Sequence, residues 1–140
     1  MTEFVYLHGF ASGPSSKKAT AFKNKFKEIG VSLNTPDLEG GNFENMTLTS
    51  QVNIVLDLLD QFQCKKVCLI GSSMGGYLAT LVAQRRVEVK ATYLMAPGFN
   101  FLERWMRNLK LDYDDETCWD PKIQIFHYRY DKIKYIRTDI

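Results

Sequence analysis

The sequence has little that would tie it to an oxidising compartment, a membrane or a nucleic acid. Its three cysteines, Cys64, Cys68 and Cys118, are an odd number with no disulfide framework, and read as reduced thiols of a cytoplasmic protein. No apolar run approaches the roughly 20 residues of a membrane-spanning helix. A strand-like pattern already begins at Glu3, which leaves no room for a signal peptide. The 18 basic and 16 acidic residues are spread along the chain without a block of one sign, so no nucleic-acid partner is expected. Asn45-Met46-Thr47 matches a glycosylation sequon that is idle in a cytoplasmic chain. Internal repeats, linkers and low-complexity segments are lacking as well. Only one histidine, His127, follows the residue 70 region.

What is present is alternation of strand and helix patterns. At 140 residues the chain suits one domain that buries about two-thirds of its unfolded surface. Phe4 to Leu7 reads as a buried strand, and Ala19, Phe22, Phe26 and Ile29 recur at helical spacing within residues 15–29. Gly30 stops that helix, and Val31-Ser32-Leu33 forms a short second strand before Pro36. Leu48, Val52, Val55, Leu56 and Leu59 mark one stripe of a helix over 47–62. Val67–Ile70 reads as a third strand, 74–86 as a third helix and Ala91–Met95 as a fourth strand. This alternation predicts a mainly parallel, doubly wound α/β sheet.

The third strand runs directly into Gly71-Ser72-Ser73-Met74-Gly75-Gly76. Between a strand and a helix, G-x-S-x-G is the sequence form of a nucleophile elbow, which lifts a serine hydroxyl above a sheet. The simplest strand order with right-handed crossovers is 2-1-3-4, whose switch point lies between the first and third strands. The first strand ends in His8-Gly9-Phe10 and the third in Ser73, so two motifs distant in sequence converge on one crevice.

Roles follow from that convergence. Ser73 would attack a carbonyl carbon, and the developing oxyanion needs donors already aimed at it. The Met74 and Phe10 backbone N–H groups are the candidates. Gly9 would allow close backbone approach, Gly75 the tight turn, and Ser72 is a turn residue. His8 reads as holding its loop by backbone hydrogen bonds rather than as a base. Ser12, Ser15, Ser16, Lys17 and Lys18 crowd the next helix start, where capping is the default and an anionic substrate group is the alternative.

The stretch Tyr6-Leu7-His8-Gly9-Phe10-Ala11-Ser12-Gly13-Pro14-Ser15-Ser16-Lys17-Lys18-Ala19 resembles the N-terminal signature of the YqiA/YcfP-type α/β-hydrolases, small serine esterases. The likeness continues through Pro36-Asp37-Leu38, Leu48-Thr49, residues 71–80, Ala96-Pro97-Gly98 and Phe126-His127-Tyr128. It implies hydrolysis of short acyl esters or thioesters by a Ser-His-Asp triad, with no metal or other cofactor. Ser73 is carried over as nucleophile, and the Phe10 and Met74 amides as the oxyanion hole.

The resemblance is close over the first hundred residues and loose beyond. In this fold the acid and then the base follow the serine on later loops, yet neither an H-G-x-x-D nor a G-x-H segment follows the fourth strand here. The fold expected is therefore of the α/β-hydrolase type lacking its last strands, with a core over 1–98 and a lid-like segment over 99–140. His127 is the candidate base, preceded by Asp112, Asp114, Asp115 and Asp120, although its β-like surroundings favour packing. Asp131 and the acidic run read as solvated surface. Phe99, Phe101, Leu102, Trp105 and Met106 form an apolar helical face that packs under a lid or walls an acyl site. An uncovered fourth strand predicts a weakly stable monomer, a homodimer through the sheet edge, or an incomplete gene product. A hydrolase, an acyltransferase using the same serine, and a non-catalytic remnant binding a small acyl ligand or a protein are the readings left open.

Overall fold

The computed structural model describes residues 1–63, 66–108 and 122–137. In chain order the elements are β1 (Glu3–Leu7), α1 (Lys17–Glu28), β2 (Leu33–Asn34), α2 (Leu48–Gln61), β3 (Val67–Ser72), α3 (Met74–Ala83), β4 (Val89–Met95), α4 (Phe101–Asn108), β5 (Lys122–His127) and β6 (Lys132–Arg137). The first four strands form one parallel sheet in the order β2-β1-β3-β4. That is the expected order, and it is the doubly wound α/β architecture.

Alternation along the strands explains why helices cover both faces. Val5, Leu7, Val67 and Leu69 point to one side, where they pack with Val52, Val55 and Leu59 of α2 and Leu78, Ala79 and Val82 of α3. Tyr6 and Ile70 point to the other, against Ala19, Phe22 and Phe26 of α1. Each fully buried aliphatic side chain contributes about 1.5–3 kcal/mol relative to exposure. The helices start where the sequence caps them. Ser16 Oγ accepts from the Ala19 N–H at 3.2 Å, and Thr47 and Ser50 form a reciprocal capping box with both bonds at 2.9 Å.

Several expected bounds shift by a few residues, β4 beginning at Val89 rather than Ala91, and two of the shifts have a clear cause. The second strand is only Leu33–Asn34 and does not include Val31 and Ser32, because Val31 still bonds back to Phe26 O as part of the α1 ending. The third helix ends at Ala83 rather than Arg86, its carbonyls taken up by the Gln84, Arg85 and Arg86 amides. β4 is the last strand of the described sheet, and residues 90–93 are exposed along it.

Within the segment expected to be lid-like, β5 and β6 form an antiparallel hairpin. It lies over the loops that follow β1 and β2. Ile136 and Ile125 pack with Ala11, Phe43, Met46 and Phe10, and the Tyr128 N–H donates to Ala11 O at 3.2 Å. Cys64, Cys118, the acid candidates Asp112, Asp114, Asp115 and Asp120, and the side chains of Leu102, Trp105 and Met106 lie outside the described residues.

Candidate active site at the carboxyl edge of the sheet

Ser73 occupies the sharp turn between β3 and α3 with φ 54° and ψ −120°, a region that side-chain-bearing residues rarely adopt. Four backbone hydrogen bonds enforce it. The Ser73 N–H donates to Met95 O at 3.0 Å, and its carbonyl accepts from Gly98 N at 2.7 Å, Gly76 N at 2.9 Å and Tyr77 N at 3.3 Å. The hydroxyl itself makes no cap bond to the helix it precedes. Ala11 (φ 53°) and Ala96 (φ 43°) follow β1 and β4 with the same unusual sign, so backbone strain gathers at the carboxyl ends of β1, β3 and β4.

The elbow needs its glycines for space. A Cβ on Gly75 would collide with the Leu7 and His8 carbonyls, and one on Gly71 with the Gly75 carbonyl and the Gly76 Cα. α3 can therefore press its first turn onto the end of β1. Gly9 differs from the expectation of forced close approach. A Cβ there would meet Ser73 Cβ at 3.5 Å and Ser72 O at 3.6 Å, ordinary contact distances. The same distances place the His8-Gly9-Phe10 loop directly against Ser73.

Among the described residues, two cavities open beside Ser73. One of about 420 Å³ is lined by Tyr6, Gly9, Phe10, Lys17, Lys18, Ser72 and Phe101 among others. The second, about 470 Å³, lies between Ser73 and Pro97, Phe101, Arg104 and Arg107. The Phe10 ring packs on Phe101 and Phe43, with centroids 5.3 and 5.6 Å away, and forms an apolar wall. Behind that wall Ser72 is buried and accepts from Lys18 Nζ at 3.1 Å. The buried Tyr6 hydroxyl shares Ser72 and Ser16 as partners, and burial pushes its pKa up.

Both histidines of the sequence are buried, and both ring nitrogens of each are engaged. His8 Nδ1 donates to Gly9 O at 2.9 Å, and Nε2 accepts the Leu38 N–H at 3.1 Å, which fixes a neutral tautomer. Burial lowers its pKa, the Gly9 bond opposing the shift only in part. His127 Nδ1 accepts the Arg129 N–H at 3.2 Å, so Nε2 carries the proton that it gives to Glu39 Oε2 at 2.5 Å. The Phe43 and Tyr130 rings lie on His127, each with its centroid 4.7 Å away. Ser73 is not among the hydrogen-bond or ring partners of His127 in the described structure. The β-like setting of His127 thus matches a buried packing position.

Sequence reasoning missed the acidic side of this arrangement. Arg129 makes a bidentate pair with Asp37, Nη1 and Nη2 donating at 3.0 and 2.9 Å, and Nη1 stands 3.9 Å from Glu39. The guanidinium holds the Asp37 carboxyl below its usual range, and Asp37 raises the Arg129 pKa in turn. Asp37, Glu39, His127 and Arg129 together dock the hairpin on the loop after β2. The signal available in sequence was the alternation Lys132-Ile133-Lys134-Tyr135-Ile136-Arg137, which marks a second strand opposite Lys122–His127.

Comparison with known proteins agrees with this architecture. The chain is 36% identical over 104 residues to "Putative esterase/lipase 2" of Mycoplasma pneumoniae, and 36% identical over 100 residues to its counterpart in Mycoplasma genitalium. Each match covers 67% of this chain and 37% of the relative, so the chain spans little more than a third of their length. Among solved structures it superposes on a "Putative hydrolase from Agrobacterium vitis S4" with a TM-score of 0.78 at 22% identity, over 99% of this chain and 58% of that one. It also superposes on Est1E from Butyrivibrio proteoclasticus with ferulic acid bound, with a TM-score of 0.75 at 21% identity, over 98% and 57%. Mouse alpha/beta hydrolase domain-containing protein 10 gives 0.70 at 21% identity, over 97% of this chain and 57% of that one. These likenesses establish the α/β-hydrolase fold in a form shorter than those structures. A family model matches residues 3–140, and the chain belongs to the uncharacterised protein family UPF0227.

Proposed function

We propose that the chain carries the nucleophile and oxyanion hole of a serine esterase or thioesterase acting on short acyl esters, close in kind to the YqiA/YcfP-type hydrolases. The observation that carries this reading is the strained Ser73 elbow set against the Gly9 loop at the sheet's switch point. Ser73 Oγ attacks the acyl carbon, the carbonyl π pair moves to oxygen, and the Phe10 and Met74 amides receive the oxyanion. Collapse expels the alcohol or thiol, which leaves with the proton from Ser73, and water then releases the acid from the acyl-enzyme. Strain at Ser73 is consistent with such a role, since residues held in rare conformations cluster at active sites.

A second reading has its own observation. The serine proton needs an acceptor, and neither imidazole has a free nitrogen. Without a base, a triad enzyme keeps only about 10³–10⁴ of its acceleration over water. The same crevice then binds an acyl ligand or a protein partner without turning it over. In this reading the exposed β4 edge offers a second copy of the chain a strand to pair with.

The deciding experiment treats the folded chain with a fluorophosphonate probe and maps the adduct by mass spectrometry. Labelling at Ser73 that is absent from Ser73→Ala supports the hydrolase. A folded chain that stays unlabelled rules it out in favour of the binding reading.

A further inference from the structure

Charge around Ser73 departs from that of the chain as a whole. Acids and bases nearly balance over 140 residues, yet none of the described residues lining the two cavities beside Ser73 is acidic. Lys17 and Lys18 border the first cavity, and the second carries Arg104 and Arg107. Arg107 is offset by Glu103 at 2.7 Å. Among the described residues neither Lys17 nor Lys18 pairs with a carboxylate, and the first turn of α1 contains no acid. Lys18 is held in place all the same, since its Nζ donates to Ser72 Oγ, one residue from Ser73. The apolar side of this cavity is supplied by Phe10 and Phe101, which suits a short hydrocarbon linker.

We propose that this cavity takes an oxyanionic group of the ligand, so that Ser73 faces acyl esters bearing a carboxylate or phosphate a few bonds from the scissile carbonyl. The proposal rests on the esterase reading for its chemistry and on the lysines for its selectivity. An uncharged ester of equal length would leave both ammonium groups hydrated and gain nothing from them. Attraction between exposed charges is weak and screened by salt, so the preference is modest and declines as ionic strength rises.

The test uses binding rather than turnover. Backbone amide shifts of the full chain are followed by NMR during titration at low salt with N-ethylglutaramate, uncharged N-ethylpentanamide of equal length and inorganic phosphate. N-ethylglutaramate is expected to bind about fivefold more tightly than N-ethylpentanamide, the scale of two exposed ionic contacts. Lys17→Gln/Lys18→Gln removes that difference, and Lys25→Gln, on the far end of α1, retains it. Phosphate displacing the glutaramate at lower concentration assigns a phosphate-bearing substrate, and displacement only at higher concentration assigns a carboxylate. Equal binding of the charged and uncharged amides, or a preference that survives in the double variant, overturns the proposal. Neither amide needs a reactive serine, so this result is independent of Ser73 labelling.

Discussion

Replacing Ser73 by glycine should make the protein more stable than replacing it by alanine, the reverse of the usual order. The reason is the backbone, held at φ 54° by four hydrogen bonds through the Ser73 amide and carbonyl. A residue with a Cβ in such a region costs about 1–3 kcal/mol, and alanine keeps that cost while glycine releases it. Glycine also enlarges the unfolded ensemble, which takes back about 0.4–1 kcal/mol. Loss of the hydroxyl is common to both variants and forfeits no cap bond. The net expectation is that Ser73→Gly exceeds Ser73→Ala by about 0.5–2 kcal/mol. With a urea m-value of about 1–3 kcal/mol/M, this is a midpoint difference of roughly 0.5 M. Urea melts followed by circular dichroism on both variants read it directly. A Ser73→Gly midpoint at or below that of Ser73→Ala would refute the claim that strain is stored at the elbow.

Gly75→Ala drives a Cβ into the Leu7 and His8 carbonyls, where backbone on both sides must move, and should cost about 3 kcal/mol or more; a melt within about 1 kcal/mol of the parent would show that the first turn of α3 can slide. Burial keeps His8 neutral in the fold, whereas the unfolded chain binds a proton near pH 6.5, so stability is full above that pH and falls as pH drops through it. Urea midpoints between pH 8 and 5 should show this slope, and His8→Gln should flatten it. Asp37, held low by Arg129, adds a second loss below about pH 4, with the same sign. Arg129→Gln replaces the bidentate pair with Asp37 and should loosen the hairpin, seen as faster chymotryptic cleavage at Tyr128 and Tyr130 with the sheet still intact.

The sheet was legible because its signals are local and mutually consistent. Val5, Leu7, Val67 and Leu69 alternate with Tyr6, Cys68 and Ile70, and the crossover rules then leave one simple strand order, the one observed. The turn at Ser73 was legible for a similar reason, since Gly71 and Gly75 are where a Cβ has no room. The hairpin docking was not. It depends on Asp37 and Glu39 meeting Arg129 and His127 across about ninety residues, and no local pattern marks a hydrogen-bonded cluster whose halves lie that far apart in the chain. Glu39 stands beside the Gly40-Gly41 turn, a setting with no sequence mark of burial, and it is among the few buried charged residues. For Lys17 and Lys18 the sequence alone does not choose between an ordinary helix start and a site for an anionic substrate group. Only the fold shows that Lys17 and Lys18 share a cavity with Ser73.

The place of His127 can be decided by magnitudes. To accept the Ser73 proton its ring would have to give up the Glu39 bond or the Arg129 amide, and leave the Phe43 and Tyr130 rings. A hydrogen bond to a charged group contributes about 1.5–3 kcal/mol, so a released ring would be populated at no more than roughly one part in ten to one part in a hundred, before the loss of the ring contacts is counted. Such a population would slow a triad far less than the loss of about 10⁶ that follows removal of the histidine itself. Glu39→Gln separates the two cases because it weakens the hold on the Nε2 proton without altering Ser73. With His127 as a structural residue, the variant should lose about 1 kcal/mol or more of stability in urea and label with fluorophosphonate no faster than the parent. Labelling accelerated about tenfold, with the gain lost again on adding His127→Gln, would show that the ring swings to Ser73 and acts as its base.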